Sequence, residues 1–287
     1  QMIAKSIKNA DYQRWMIKHA EALLATSDDE RIGLEKLAWQ KNIDVIKPSI
    51  LDSSISDKQM ADEMMHFYTK VVDTRYRVLM TDNEKGAIRS LIHVGMAHNE
   101  TMTLLDSEHL LTLRGLKPTE WRRILLFGDD EDLRLIINNA AERLQLTIPA
   151  IDTSKIDRYQ AERPKMMGYL PSDRLVGGYK IIKRRLRETT ENDTEDLIKL
   201  TTMLINSRTL LKKQQMSMRH LAELYDEVKY ADYDETRFVE ITKEMKLSKF
   251  SRRMLQILAD DVYLEEGFMP DKPLDDRKTK KIREQFI

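Results

Sequence analysis

The sequence predicts an all-α protein: a multi-helix bundle arranged as two helical lobes, with a long heptad-patterned helix near 193–230. Apolar residues recur at helical spacing in most long segments. Only nine Gly and seven Pro interrupt the 287 residues, and they fall between the periodic segments. No stretch shows the period-2 alternation of a strand.

In chain order, Lys5 to Thr26 reads as a first helix, with Trp15, Ile17, Ala20, Leu23 and Leu24 as its apolar contacts. Ser27-Asp28-Asp29-Glu30 has the form of a capping box, in which Ser27 accepts a backbone N–H and Glu30 reaches back. The helix that it opens runs to about Gln40, and Pro48 marks a loop. Ser56-Asp57 opens a long helix through Met80, and the box Thr81-Asp82-Asn83-Glu84 opens the next, through about Ala97. Glu108 to Leu113 is a short helix ended by Gly115. Pro118 suits a first helical turn, and Gly128 marks that helix's end. The acids Asp129 to Asp132 suit the positive end of a following helix.

Residues 147–171 differ. Pro149, Pro164 and Pro171 interrupt them and their periodicity is poor. They read as a connector between an N-terminal lobe (1–146) and a C-terminal lobe (172–266), or as a long surface loop, with a helical piece from Ser154 to Glu162. Past them, Ser172-Asp173 caps a helix through Arg187. From Asp193 to Tyr230, Leu197, Leu200, Leu204, Ser207, Leu211, Gln214, Met218, Leu221, Tyr225 and Val228 follow a 3-4 spacing, as the a and d positions of a coiled coil do. Ile198, Ile205, Leu210 and Leu224 widen that stripe, which favours an internal core over an interface with another copy or a protein partner. Gln214 to Ser217 is where the helix could break. Asp234–Met245 and Ser248–Asp261 are two shorter helices. A charged, frayed tail follows Gly267.

Composition narrows the chemistry. There is no cysteine, so disulfides, thiolate metal sites and cysteine nucleophiles are excluded. With 16 methionines and no secretory segment, the expected home is a reducing cytoplasm, and no apolar run spans a membrane. Net charge is zero, with a slight basic surplus from Ala150 onward, so any basic site is local. Glu63 and His66 have the Glu-x-x-His spacing of di-metal bundles, but the only similar pair, Asp106 and His109, leaves that set incomplete. No metal or other cofactor is expected. The sequence has no P-loop, Gly-rich dinucleotide turn, nucleophile elbow or zinc-protease motif.

Two basic segments remain. In Tyr179 to Arg187, Leu175, Tyr179, Ile182 and Leu186 form an apolar stripe, while Lys180, Lys183, Arg184 and Arg187 fall on other faces. A helix of this kind docks by one side and offers cations to phosphates on the other. Phe238 to Leu258 resembles a helix-turn-helix. Phe238, Ile241 and Met245 line the first helix, Lys246-Leu247 make the turn, and Ser248 caps the second. Phe250, Met254, Ile257 and Leu258 face inward, while Lys249, Arg252, Arg253 and Gln256 face out, as residue types that suit phosphates and base edges. Lys246 stands where Gly is common in such turns, and Arg252 where a buried aliphatic residue is usual. The function expected is a non-enzymatic helical interaction protein, most concretely one that binds DNA or RNA through basic helices of the C-terminal lobe. The second reading is a protein–protein scaffold without nucleic acid, and the third a helical enzyme with a carboxylate or metal site.

Overall fold

The computed structural model describes residues 23–25, 27–40, 49–50, 56–98, 105–159, 164–177 and 180–286. Thirteen α-helices carry them: α1 (Asp28–Gln40), α2 (Asp57–Thr74), α3 (Tyr76–Leu79), α4 (Asp82–Met96), α5 (Ser107–Arg114), α6 (Pro118–Asp130), α7 (Arg134–Arg143), α8 (Lys180–Thr189), α9 (Glu195–Lys212), α10 (Met218–Tyr230), α11 (Glu235–Glu244), α12 (Ser248–Val262) and α13 (Arg277–Arg283). The protein is all-α. Among the described residues the one small departure is a pair of two-residue parallel strands, β1 (Leu24–Ala25) and β2 (Ser49–Ile50), so the first predicted helix does not include Leu24 and Ala25. The rest of that prediction lies outside the described residues. Among the described residues no helix is long and apolar enough to cross a membrane.

The helix starts follow local chemistry. The Ser56 and Thr81 side chains accept from Gln59 N and Glu84 N, and both side chains reach back to complete capping boxes. Asp106, Thr194, Ser217 and Asp234 cap α5, α9, α10 and α11 in the same way. Ser248 departs from its expected role. It is already inside α12, and Leu247 occupies the cap position without a side-chain bond.

The chain forms two compact units, residues 1–79 with 154–162, and residues 80–153 with 163–287. In the second of these units α4 packs against α12. Arg89 Nε pairs with Asp261 Oδ1 at 3.1 Å, and the His93 Nδ1 to Val262 O distance is 3.1 Å. Of the helical piece expected from Ser154 to Glu162, the described residues 154–159 show only the end of a 3-10 turn, Thr153–Lys155, and 160–162 lie outside the described residues.

In the first unit, α2 ends at Thr74 rather than Met80, and a short α3 follows. Phe67 and Tyr76 are buried. Asp157 holds α2 through Lys70 Nζ at 2.7 Å and His66 Nε2 at 3.2 Å, and these contacts keep its carboxyl below the usual range.

In the second unit, α4 lies at the centre, with Ile88, Leu91, Ile92 and Val94 buried. Helix α7 crosses it so closely that a Cβ on Gly95 would collide with the Ile136 carbonyl oxygen. The end of α6 is tied to the start of α10, because the buried Glu131 carboxylate accepts from Met218 N. An acid at a helix N-terminus completes the free backbone donors and meets the positive end of the dipole.

The predicted long helix is two helices. α9 stops at Lys212 and α10 starts at Met218. Gln214 between them takes a left-handed φ of 57°, and Gln215 N donates back to Leu210 O at 2.9 Å. The heptad stripe survives the break. Leu197, Leu200, Leu204, Leu211, Met218, Leu221, Tyr225 and Val228 are all buried within the chain, as is Ser207, whose hydroxyl donates to Met203 O at 2.8 Å. Gln214, in the break, is the exposed member of the stripe. The core has consumed the rest because the break lets α9 and α10 pack against each other as well as against α11 and α12.

Candidate nucleic-acid interface

Helix α8 is built from Lys180 onward, not from a cap at Ser172-Asp173, which lie in bends. The reason is local. Asn206, fully buried in α9, donates from Nδ2 to Pro171 O (2.7 Å) and Arg174 O (2.8 Å), and its Oδ1 accepts from Val176 N (2.8 Å). This clamp holds 171–176 in a non-helical path, and Gly177 follows with φ 101°, a conformation that favours glycine. The far end of α8 is held by Arg237, which donates to Thr189 O at 2.8 Å and pairs with Asp193 at 3.0 Å. Several carboxylates around that guanidinium raise its pKa further. Sequence reasoning singled out neither Asn206 nor Arg237. Both act across more than 30 residues, beyond the reach of helical periodicity.

Between these anchors, α8 seats Leu186, which is buried, and Ile182, which is half-buried. Tyr179 lies outside the described residues. Lys180, Lys183, Arg184, Arg185 and Arg187 are all exposed. Arg184 Nε stands 3.6 Å from Glu188 Oε1, an ion pair with both side chains mostly in solvent. Such a pair contributes little and yields readily to a competing anion. Lys180, Lys183 and Arg187 make no ion pair with any described residue. Positions 180, 183, 184 and 187 share one face, so four cations line roughly 10 Å of helix.

The helix-turn-helix segment presents a different picture. α11 and α12 form as two helices, with Phe238, Ile241, Met245, Met254, Ile257 and Leu258 buried and Phe250 only half-buried. Lys246 supplies the turn with φ 57°, and Leu247 N donates to Thr242 O at 2.7 Å, closing the helix as a glycine normally would. The outward face of α12, however, is taken up by the C-terminal tail. Arg253 binds Asp276 through Nε and Nη2, at 2.6 to 3.1 Å, and Arg252 Nε donates to Lys272 O at 2.8 Å. Gln256 is bonded to Asp260 on its own helix. Of the four residues read there as nucleic-acid contacts, only Lys249 is fully exposed. The bidentate Arg253 contact holds the Asp276 carboxyl far below the usual carboxylate range.

That tail is not frayed. Thr279 and Phe286 are buried, and Arg283 pairs with Asp261 at 2.9 Å and Asp260 at 3.1 Å. Its outer side carries exposed Arg277, Lys278, Lys280 and Lys281. The run Arg-Lys-Thr-Lys-Lys was legible in the sequence as charge, but not as an ordered cationic face. Replacing Arg253 with Ala is expected to release the tail. Limited proteolysis should then cut after Arg277 to Lys281 many times faster than in the wild type, and an unchanged digestion rate would contradict the docking described here.

Among the described residues, no group of three or more His, Asp or Glu side chains gathers as metal ligands do. No family model, curated protein or solved structure matches the chain.

Proposed function

We propose that this is a non-enzymatic helical protein that binds the phosphate backbone of nucleic acid through α8. The observation that carries the reading is the exposed row Lys180, Lys183, Arg184 and Arg187, on a helix held at its C-terminal end by Arg237 yet paired only by the weak Glu188 contact. A helix fixes the spacing of the row, and releasing counterions from phosphates drives association. The chain as a whole has zero net charge, so the affinity belongs to the local face and falls steeply with salt. α13 carries further exposed cations, Arg277, Lys278, Lys280 and Lys281. The face has no arrangement of paired donors and acceptors for reading base edges, so binding is expected to be independent of sequence.

The test is titration of the full chain against labelled duplex DNA and single-stranded RNA over a range of salt concentrations. The expected result is binding at low salt, with the logarithm of the affinity falling linearly against the logarithm of salt. No binding to either nucleic acid at low salt would refute the proposal.

A further inference from the structure

Helix α8 stands proud of the second unit. Among the described residues no other helix lies against it along its length. Of its own residues, Leu186 is buried and Ile182 and Thr189 are half-buried, and these three fall on one narrow stripe. All the others from Lys180 to Glu188 are exposed. Ile181 is 75% exposed, an apolar side chain left in water on a charged surface. Lys183, Arg184 and Arg185 step round the axis by about 100° each. Arg184 therefore lies opposite the seated stripe, with Lys183 on one side of it and Arg185 on the other. Lys180 and Arg187 join the Lys183 side. Arg185 pairs with no acid among the described residues. Cations on both sides of one exposed helix call for phosphates on both sides, and a single line of phosphates does not supply them.

We propose that α8 seats in the major groove of B-form duplex DNA, with Lys180, Lys183 and Arg187 on one phosphate wall and Arg185 on the other. The proposal rests on the α8 reading above and narrows it to one form of nucleic acid. The groove is about 12 Å wide and admits a helix about 10–12 Å across, provided that no neighbouring helix crowds it. Ile181 and the stem of Arg184 then face the groove floor, where Ile181 leaves water, and the long Arg184 side chain turns its guanidinium to either wall. Such a seat needs no particular base sequence. An A-form RNA duplex has a major groove too narrow and deep for the helix, and a single strand has one line of phosphates.

Titration of the full chain against three duplexes of one sequence tests it: plain DNA, DNA whose cytosines carry glucosylated hydroxymethyl groups at C5, and RNA. The added sugars fill the major groove and leave the phosphates in place. The wild type is expected to bind plain DNA about tenfold or more tightly than either of the others. Arg185→Ala should flatten the log–log salt slope for plain DNA by about 1, leave the slope for the RNA duplex unchanged and melt as the wild type does. Arg185→Lys, which keeps the charge, should retain the wild-type slope. Equal affinity for plain and glucosylated DNA would overturn the groove seat and leave the α8 reading standing. So would RNA bound as tightly as plain DNA, or a wild-type slope in Arg185→Ala. No binding to any of the three at low salt would overturn the α8 reading itself, and the groove seat with it.

Discussion

Leu204→Ala is expected to lower the stability of the protein by about 2–5 kcal/mol, the range found for truncating a buried leucine where the surroundings cannot collapse into the space. Leu204 is 3% exposed and lies in α9 among Leu200, Ile205 and Leu211, with α10 and α11 packed against the helix. The loss has two parts: the transfer energy of the removed carbons and the cavity that they leave. Thermal or urea denaturation at several protein concentrations measures it. The midpoint should fall at every concentration and the association state should not change. A variant that melts like the wild type but dissociates an oligomer would show that the stripe is an interface.

The second large effect is acid destabilisation through His220. Its ring is fully buried at the start of α10, where Nδ1 accepts from Ser217 N at 3.1 Å and Nε2 makes no hydrogen bond of normal geometry. Burial pushes the imidazole pKa down to about 4, against the smaller upward pulls of the Gly168 backbone and Asp132. The folded pKa thus lies below the unfolded value near 6.5, and unfolding takes up a proton between the two. Stability from this group is therefore complete above about pH 6.5 and is lost as the pH falls towards 4, by roughly 3 kcal/mol in all. Burial also raises the carboxyls of Glu223, Glu227 and Asp261, which act in the opposite sense. The His220 contribution is therefore read as a difference. His220→Gln keeps an acceptor for Ser217 N and removes the titration. The stability of wild type relative to this variant should drop across pH 6.5 to 4. A constant difference would mean that the imidazole is not buried as described.

What the sequence made legible was what acts within a few residues. Helix starts at Ser56, Thr81, Asp106 and Asp234 could be read because a cap and its partner are three positions apart. The core stripe could be read because its spacing is local. Helix ends were another matter. α6, α7, α9, α11 and α12 all end on a left-handed residue that is not glycine: Asp132, Gln145, Gln214, Lys246 and Tyr263. Each costs on the order of 1 kcal/mol that glycine would not, so nothing in the residue type announces the turn. The backbone bond that follows is what repays it, as from Leu146 N to Ala141 O at 2.8 Å. This is why one long helix was expected where α9 and α10 stand.

The α12 face misled for a different reason. Spacing put Lys249, Arg252 and Arg253 on one side of a helix, but the carboxylate that takes Arg253 comes from a residue 23 positions later. A solvated cation and one that already holds an acid look alike in sequence. The α8 row was read from the same kind of spacing. It differs in that no distant acid from a described residue reaches Lys180, Lys183 or Arg187.

The most direct test of the α8 reading compares salt dependence among three proteins: wild type, Lys249→Ala, and a variant with Lys180, Lys183, Arg184 and Arg187 all changed to Ala. All four α8 side chains are exposed, so the variant should melt as the wild type does. If each cation meets a phosphate, the log–log slope for duplex DNA should flatten by about 3–4 in the α8 variant and by at most about 1 in Lys249→Ala. An α8 variant that binds with the affinity and slope of the wild type would contradict the account.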